Sequence, residues 1–350
     1  MKAAVMEGVR QPLVVREVQD PQCSAHGVIV RVEANGICRS DWHYWNGDWS
    51  WIGVAPRLPH VLGHEFCGVI EEAGPEVRGL KPGQRVVVAF SQGEGTCEQC
   101  RSGHSNVCNT PLVPGMTYWG GFARYVAVPY ADVNVVRLPE AIGFVEAASM
   151  GCRFMTAFHG IVDRAQVKPG QWVAVYGCGG LGLSAVHVAA ATGANVIGVD
   201  LDPAKLEMAK KLGAIHVVNA KETEPTKAVR QLSGGGAHVA VDALGIAQTC
   251  RNAALSLRRR GRMLQLGLTS QSEKGEIALP IDRLVLMEQS VIGSVGMPAA
   301  DYPQLLRLVE SRRLVPGSLV TATVPLEKSS EVLEQMTSFA NLGVTVIDRY

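Results

Sequence analysis

The strongest constraint on the fold of this 350-residue chain is a glycine-rich turn that joins an apolar run to a helical segment. The apolar run Trp172–Tyr176 has the composition of a buried strand, and the turn 177–182 follows it at once. Gly177 permits a tight change of direction, Gly179 lets the backbone approach a pyrophosphate, and Gly182 lets helix and strand pack closely. The pattern predicts a phosphate-binding turn, with an ordinary strand-to-helix turn as the alternative.

A second strand and an acidic residue extend this pattern. The run Asn195–Val199 ends at Asp200, 18 residues after Gly182, where a carboxylate can accept hydrogen bonds from a ribose. Asp200 would repel a 2′-phosphate, and no arginine adjoins it in the sequence to neutralise one. The pattern therefore favours NAD over NADP as the bound dinucleotide.

Length and pattern together predict two domains. A chain of 350 residues exceeds what one hydrophobic core usually serves. Residues 1–153 show short alternating runs such as Val28–Val32, broken by Gly, Pro and Asn, which indicates a β-rich domain. Residues 154–294 alternate short apolar strands with helical patterns, and this alternation stops in 295–350. We expect the last segment to return to the first domain, so that the second domain is inserted into it.

The inserted domain is expected to contain a doubly wound parallel sheet. Six strands joined by helices suit such a sheet, whose ligands bind beyond the carboxyl ends of the strands. The strand candidates are 172–176, 195–199, 216–218, 238–242, 262–267 and 291–295. In the last segment the pattern predicts helices at about 301–312 and 327–339 and strands at 320–324 and 344–347.

Charge and composition exclude several classes of protein. The formal net charge is +1 and no acidic or basic block stands out, so binding to nucleic acid or to an anionic membrane is not expected. Glu7 and Arg10 fall where a signal peptide needs its apolar stretch, and no later run is apolar for long enough to span a bilayer. We expect a cytoplasmic protein with small-molecule partners.

The cysteines indicate a metal site. Nine cysteines is an odd number for a disulfide framework, and three of them lie within residues 97–108. In a reducing compartment, such crowding indicates metal binding.

A run of arginines surrounds Gly261. We expect it to mark the end of a helix, where cations offset the helix dipole. The arginines are Arg258, Arg259, Arg260 and Arg262.

Several motifs together carry a family resemblance. They are GICRSDWH at 36–43, LPHVLGHEFCGVI at 58–70, the cysteine cluster, GCRFMTAFHG at 151–160 and the GCGGLG turn. In order and spacing they resemble the zinc-containing medium-chain alcohol dehydrogenases, and the match covers essentially the whole chain. The resemblance implies an α/β fold in which a Rossmann doubly wound parallel sheet is inserted into a β-rich GroES-like catalytic domain.

The resemblance assigns a catalytic zinc ion to Cys38, His64 and Cys152. Two cysteines and one histidine with an open fourth position are the known catalytic set of alcohol dehydrogenases, so this composition comes from the family and not from spacing. Taken alone, the three residues would be interpreted as small buried hydrophobes and a core histidine. The resemblance also places Glu65 at the metal, and we expect Asp41 to orient His64, although either acid could instead be solvated.

The resemblance also implies a route for the substrate proton. Ser40 corresponds to the hydroxyl that contacts the substrate oxygen, and His43 corresponds to the histidine that passes the proton onward through the nicotinamide ribose. A histidine suits this role because its pKa lies near neutrality. A histidine on a loop surface is the plainer interpretation of His43.

The remaining site residues also follow from the resemblance. Trp49 and Phe90 would line an apolar substrate pocket, although as core residues they need no function. Arg39 would contact the cofactor pyrophosphate, a role that suits its planar cation. The full set of expected cofactor-binding residues is Arg39, Thr156, Gly177, Gly179, Gly180, Leu181, Gly182, Asp200 and Lys205.

The cysteine cluster departs from the family pattern. The structural zinc of the family is held by four cysteines, and the same register in this chain gives Glu94, Cys97, Cys100 and Cys108. A carboxylate oxygen is an acceptable zinc ligand, so the four residues can still close a tetrahedral site. The alternative is a lost site with three leftover thiols.

The sequence thus leads to a main hypothesis and two alternatives. The main one is an NAD-dependent zinc enzyme that interconverts an alcohol with an aldehyde or ketone. The alternatives are a polyol or secondary-alcohol dehydrogenase of the same family, and a catalytically idle nucleotide-binding relative. Only 43 residues separate Cys108 from Cys152, as in many tetrameric microbial relatives, so we expect a homotetramer.

Overall fold

A computed structural model of the chain describes residues 1–338 and 341–350. The chain divides into two compact units, Met1–Met155 with Gly296–Tyr350, and Thr156–Val295. In the described part of the chain, no helix is both long and apolar enough to cross a membrane.

The bounds of the elements are as follows. The strands are β1 (Lys2–Met6), β2 (Val14–Glu17), β3 (Val28–Ile37), β4 (His60–Val61), β5 (Glu65–Ala73), β6 (Arg85–Val88), β7 (Tyr125–Val128), β8 (Val135–Arg137), β9 (Trp172–Tyr176), β10 (Asn195–Asp200), β11 (Ala214–Asn219), β12 (Ala237–Asp242), β13 (Leu257–Gln265), β14 (Ser290–Gly293), β15 (Val320–Pro325) and β16 (Val344–Arg349). The α-helices are α1 (Arg39–Trp45), α2 (Glu98–Arg101), α3 (Ala131–Asn134), α4 (Phe144–Ser149), α5 (Cys152–Phe158), α6 (Gly180–Ala191), α7 (Pro203–Lys211), α8 (Pro225–Leu232), α9 (Ala247–Ser256), α10 (Ile281–Leu286), α11 (Tyr302–Glu310) and α12 (Ser329–Met336). A π-helical turn covers His159–Arg164, and 3₁₀ turns cover Ser50–Ile52, Ser105–Val107, Ala299–Asp301, Pro316–Leu319 and Leu326–Lys328.

The first unit is built on a seven-stranded sheet. Its strands follow the order β15-β16-β3-β5-β6-β8, and β7 pairs with β3 beside this path. The pairs are antiparallel except for β15 with β16. Because β16 comes from the last segment of the chain, that segment returns to the first unit, as the sequence pattern predicts. A second sheet, β2-β1-β4, belongs to the same unit.

Alternation of side chains explains why β3 and β5 lie at the centre of this unit. Val28, Val30 and Val32 on β3 are fully buried and pack in one apolar cluster with Phe66 and Ile70 of β5. Side chains two residues apart on a strand point to the same face, so this spacing anchors both strands in one register. That register fixes where each strand ends.

The second unit contains a six-stranded sheet in the order β11-β10-β9-β12-β13-β14, and all of its pairs are parallel. Helices connect the strands, which confirms the predicted doubly wound sheet. All six predicted strands are present. The largest difference is that β13 begins at Leu257, whereas the sequence predicts a start at 262.

The early start of β13 overturns the interpretation of the arginine run. Helix α9 ends at Ser256, so Arg258 and the arginines after it lie in a strand and do not cap the helix. The carbonyl oxygen of Leu257, just past the helix end, accepts hydrogen bonds from Arg230 and Arg283 instead. These cations come from distant parts of the sequence, so local pattern alone did not identify them.

The last segment matches its predicted elements with small shifts. Helix α11 covers Tyr302–Glu310, where a helix at about 301–312 is predicted, and the two predicted strands are β15 and β16. Helix α12 covers Ser329–Met336, and the predicted end of this helix at 339 lies outside the described residues.

The glycine-rich turn has the backbone that its sequence predicts. Gly177 has a φ of +88°, in the region that favours glycine. A Cβ atom built on Gly182 would lie 1.7 Å from the carbonyl oxygen of Gly177, so only glycine permits this approach of helix to strand. At Gly179, by contrast, a Cβ atom would have no atom of the described residues within 4 Å.

These two glycines provide a matched pair of variants. Gly182→Ala should lower the free energy of unfolding by about 1–3 kcal/mol, because the backbone must move to admit the methyl group. Gly179→Ala should leave stability unchanged or slightly raised, since Gly179 has an ordinary φ of −75° and open space around it. Thermal unfolding of the two variants provides the comparison. Equal midpoints would contradict the close contact between Gly177 and Gly182.

Candidate metal and nucleotide sites

Four metal-ligating side chains converge in the first unit. Cys38 follows β3 directly, His64 precedes β5, and Cys152 begins α5. The antiparallel register pairs Gly36 with Glu65, so the end of β3 lies beside the start of β5. One ligand atom from each of Cys38, His64, Glu65 and Cys152 lies within 4.8 Å of the others. Sheet register therefore explains how Cys38 meets His64 and Glu65.

Asp41 connects two of these residues. Its Oδ1 accepts hydrogen bonds from His64 Nδ1 at 2.8 Å and from the Gly63 backbone at 3.1 Å. Its Oδ2 accepts from the backbone N–H of Cys38 at 2.8 Å. The expected contact between Asp41 and His64 is confirmed, and the same buried carboxylate also holds the backbone at Cys38.

The free nitrogen of His64 provides the test of fit for a metal. His64 is buried, and its Nε2 has no partner of normal hydrogen-bond geometry among the described residues, although the Cys38 thiol is near enough to act on its pKa. A buried imidazole nitrogen without a partner is unfavourable, since buried polar groups normally find one. With Nδ1 engaged by Asp41, Nε2 is available to a metal, and two nearby thiols complete a donor set typical of zinc.

The two thiols of this group differ in acidity. Interaction with the Cys152 thiol, aided by the Arg153 charge, holds the pKa of Cys38 well below its usual value despite burial. The same interaction raises the pKa of Cys152. Burial opposes a charge on His64, but Asp41 and Cys38 raise its pKa. Metal binding uses a thiolate and a neutral imidazole, so a metal at this site would displace the proton that these charges favour on His64.

Glu65 has a partner that sequence reasoning missed. The guanidinium of Arg153 binds its carboxylate at two points, with Nε 3.1 Å from Oε1 and a short contact to Oε2. Both side chains are buried. Burial is the main cause that raises the pKa of Glu65 to about 7, against the Arg153 charge. The only sequence signal for Arg153 is its position directly after Cys152.

Helix α1 carries the two residues of the expected proton route. Ser40 and His43 are three residues apart, so they share one face of the helix. His43 Nδ1 lies 2.5 Å from Asp48 Oδ2, and its ring stacks on Trp49 at a centroid distance of 5.0 Å. Burial is the main cause that lowers the pKa of His43, and Asp48 partly offsets it. Asp48 is a second residue that sequence reasoning missed, although the preceding Asn46-Gly47 signals a turn.

The expected pocket residues border these groups. Phe90 contacts the His64 ring edge-on at a centroid distance of 5.8 Å, and Trp49 is buried against His43. Arg39 stacks its guanidinium over Trp42 at 3.6 Å, and burial lowers its pKa to about 10. The first unit thus places the Phe90 ring beside His64 and the Trp49 ring beside His43.

The cysteine cluster also converges. One ligand atom from each of Glu94, Cys97, Cys100 and Cys108 lies within 4.8 Å of the others. The sulfurs of Cys97 and Cys108 are 3.7 Å apart, and the Cys108 sulfur is 3.8 Å from Glu94 Oε1. In a tetrahedral site with Zn–S bonds of about 2.3 Å, two sulfurs lie about 3.8 Å apart. The spacing therefore fits zinc with Glu94 as the fourth ligand.

Local hydrogen bonds hold Glu94 in an ionised form. Its carboxylate accepts from the Thr96 hydroxyl and from the backbone of Cys97 at 2.7 Å. These bonds, with Thr96 as the largest cause, lower the pKa of Glu94 to about 2. An anionic carboxylate is the form that binds a cation.

The second unit places Asp200 beside the glycine-rich turn. Its Oδ2 accepts from the Cys178 backbone at 2.6 Å, and its Oδ1 accepts from the backbone of Leu201 and Asp202. The carboxylate is therefore fixed at the carboxyl end of β10, where dinucleotide ribose is bound in such folds. Gly179 caps α6, whose positive end faces the turn.

The other residues expected to bind the cofactor differ in their burial. The hydroxyl of Thr156 is buried and, among the described residues, has no hydrogen-bond partner. Gly180, Leu181 and Lys205 are partly exposed. They lie in the first turns of α6 and α7, the helices that follow β9 and β10.

Comparison with known families gives two matches. Residues 24–140 match the alcohol dehydrogenase GroES-like domain, and residues 180–311 match the zinc-binding dehydrogenase family.

Individual relatives match along nearly the full chain. An alcohol dehydrogenase from Geobacillus stearothermophilus is 38% identical over 337 residues, which cover 96% of each chain. An NAD-dependent alcohol dehydrogenase from Sulfurisphaera tokodaii is 32% identical and covers 99% of each chain. Among solved structures, the alcohol dehydrogenase TADH from Thermus sp. ATN1 has a TM-score of 0.90 at 30% identity and covers 100% of both chains.

The role of Asp41 in metal binding can be tested directly. Asp41→Asn should weaken zinc binding about 10-fold to 100-fold, because the amide removes the charge that orients His64. The measurement is competition with a chelator. Asp132→Asn is the matched control, since Asp132 also accepts from two backbone N–H groups but has no contact with the donor group in the described structure. Equal zinc loss in both variants would mean that Asp41 acts only on general stability.

Proposed function

Because this chain belongs to the zinc-containing medium-chain alcohol dehydrogenase family, we propose that it transfers hydride between an alcohol and NAD, giving an aldehyde or a ketone. It is an oxidoreductase of the zinc-dependent class. The single observation that carries the proposal is the convergence of the Cys38 and Cys152 thiols with His64, whose buried Nε2 has no hydrogen-bond partner among the described residues. We assign the catalytic zinc to Cys38, His64 and Cys152.

The residues around the zinc position are organised for one task. Zinc held there supplies Lewis acidity, which makes the hydroxyl of an alcohol easier to deprotonate. Asp41 fixes the imidazole of His64 and the backbone of Cys38, so two ligands keep their direction. Arg153 binds the Glu65 carboxylate and so fixes its position beside the other donors. We propose that Glu65 would be a further residue at the metal.

The proton of the substrate leaves along α1. The Ser40 hydroxyl receives it from the substrate oxygen and donates its own proton onward, and His43 holds the proton at Nε2. His43 is suited to this because its lowered pKa keeps the imidazole neutral and basic near neutral pH. Oxidation of the alcohol releases a proton as well as a hydride, and Ser40 and His43 carry that proton away.

The second unit supplies the cofactor site. NAD provides the hydride acceptor through its nicotinamide ring. Backbone N–H groups at the start of α6 bind the pyrophosphate, and Gly177, Gly179 and Gly182 allow the backbone to approach it. Asp200 accepts hydrogen bonds from the adenosine ribose. Further contacts are assigned to Arg39, Thr156, Gly180, Leu181 and Lys205.

The substrate class follows from the rings beside the donor group. Trp49 and Phe90 provide apolar, aromatic surface next to His43 and His64. Such surface binds hydrocarbon better than hydroxylated chains. We therefore propose a primary or secondary alcohol with an apolar substituent as the substrate.

We also propose a second, structural zinc ion at Glu94, Cys97, Cys100 and Cys108. Support comes from the 3.7 Å sulfur separation and the ionised Glu94. All four ligands lie within 15 residues of each other, and a closed tetrahedral site would cross-link this loop.

The chain is proposed to be a cytoplasmic homotetramer. Each of the nine cysteines, all of which the structure describes, is a free thiol, as is usual in a reducing compartment. Strand β14 is an edge of its sheet, and the adjacent α10 exposes 60–76% of Ile281, Val285 and Leu286. An open edge beside exposed apolar residues favours self-association. We further propose that the two compact units are the catalytic and NAD-binding domains, with boundaries near 153 and 294.

Enzyme activity can be tested with a panel of alcohols and polyols. We expect NADH formation with apolar alcohols, much weaker reaction with polyols, and preference for NAD over NADP. Activity should disappear after removal of zinc and return when zinc is added. Absorbance of NADH is the measurement. No reduction of NAD by any alcohol, with zinc bound, would indicate an idle nucleotide-binding protein.

The second zinc can be tested by metal analysis. The purified protein should hold about two zinc ions per chain, and Glu94→Ala should hold about one because three thiolates leave the tetrahedron open. The variant should keep the catalytic zinc and lose thermal stability. Glu98→Ala, in the same loop but outside the cluster, is the control. A ratio near one in the unaltered protein would mean that the site has been lost.

A further inference from the structure

Helix α1 ends in a motif that brings a carboxylate back to His43. The backbone N–H of Gly47 donates to the Tyr44 carbonyl at 3.1 Å, and that of Asp48 donates to the His43 carbonyl at 2.9 Å. Gly47 has a φ of +68°. These are the two hydrogen bonds of a Schellman motif, which sets the second residue beyond the helix cap over the last helical turn. Asp48 is therefore placed beside His43 by the backbone itself.

Three side chains hold the imidazole of His43. Asp48 Oδ2 lies 2.5 Å from Nδ1, and only 11% of the Asp48 side chain and 16% of the His43 side chain are exposed. Trp49 stacks on the ring at 5.0 Å with an angle of 18° between planes, and Trp42 meets it edge-on at 5.1 Å. The ring therefore has one fixed orientation.

We propose that Asp48 is a positioning residue that fixes the tautomer and direction of His43 for proton transfer. With Nδ1–H donating to the Asp48 carboxylate, Nε2 is the nitrogen that accepts the proton. The proton that arrives from Ser40 forms a bond to Nε2, the Nδ1–H bond stays intact, and Asp48 remains ionised. The inference rests on the proposed function, because it assumes the role of His43 in the reaction.

Helix termination alone does not explain the carboxylate. The two Schellman hydrogen bonds come from backbone N–H groups and need no particular side chain at position 48. A carboxylate that is almost fully buried costs free energy unless it has a partner. The partner of Asp48 is an imidazole nitrogen whose tautomer matters to the reaction, so the pair is better explained by orientation than by stability.

Other charges act on the same ring. Burial and the nearby Arg39 lower the pKa of His43, whereas the hydrogen bond to Asp48 and the charge of Cys38 raise it. The resulting pKa lies below the usual value for histidine. Removing the Asp48 charge takes away a contribution that raises the pKa, so the pKa should fall further. An activity that requires neutral His43 should then begin at lower pH.

The test is a double-mutant cycle followed over pH. Asp48→Asn should lower kcat/KM for alcohol oxidation about 10-fold to 100-fold at its plateau. It should also move the acidic limb of the profile about one pH unit lower. In a His43→Gln background, Asp48→Asn should cause no further loss, because the group that it orients is gone. Asp48→Glu, which keeps the charge, should recover part of the rate.

Asp163→Asn is the matched control. Asp163 Oδ2 lies 2.8 Å from His159 Nδ1, and this third histidine–carboxylate pair of the described residues lies outside the assigned sites. Asp163→Asn should leave both the plateau of kcat/KM and the position of the acidic limb unchanged. Thermal unfolding of each variant checks the fold, and Asp48→Ser goes through the same cycle if the amide variant does not fold.

Three results would overturn the inference, and they differ in meaning. An unchanged rate in Asp48→Asn would remove its role altogether. If Asp48→Asn lowered kcat/KM equally in the presence and in the absence of His43, and the acidic limb did not shift, Asp48 would be a structural residue only. Unaltered kcat/KM and an unaltered limb in His43→Gln would instead refute the proposed proton route, and the role of Asp48 would fall with it.

Discussion

The proposed catalytic zinc site depends on one buried carboxylate. Asp41 accepts three hydrogen bonds, and these come from the two segments that carry Cys38 and His64. A buried carboxylate is stable only when it accepts such hydrogen bonds. Because Asp41 accepts them from both segments, it also holds the two segments together. These hydrogen bonds set the direction of the two proposed ligands, Cys38 and His64.

Two further side-chain contacts hold residues around the proposed site. Arg153 follows a ligand in sequence and binds Glu65, which follows another ligand. Asp48 follows the helix that begins at Arg39 and binds His43. Arg153 is adjacent to Cys152 but binds a carboxylate 88 residues away, whereas Asp48 binds an imidazole five residues away. Local chain geometry thus supplies the contact to His43, and long-range packing supplies the contact to Glu65.

Sequence alone predicted the six strands of the second unit, apart from the early start of β13, and it predicted the glycine-rich turn, which depends on local backbone requirements such as the left-handed φ of Gly177. It also predicted the contact of Asp41 with His64 through the family motif. It did not predict Arg153 or Asp48, since a hydrogen bond between side chains depends on rotamers and on neighbouring packing. It misplaced the arginine run, because Leu257 enters a strand directly after α9 and tertiary pairing outweighed the local pattern.

The segment between α1 and β4, residues 46–59, is fixed at both of its ends. One end is anchored by the helix that carries Asp41, and the other by the paired strand that begins at His60. Trp49 lies within it, while the donor atoms of Cys38 and His64 lie outside it. The segment therefore carries Asp48 and Trp49, the residues beside His43, and none of the proposed metal ligands. On the proposed function, loop exchange here would change the proton route and the substrate surroundings together and would act on metal affinity only indirectly.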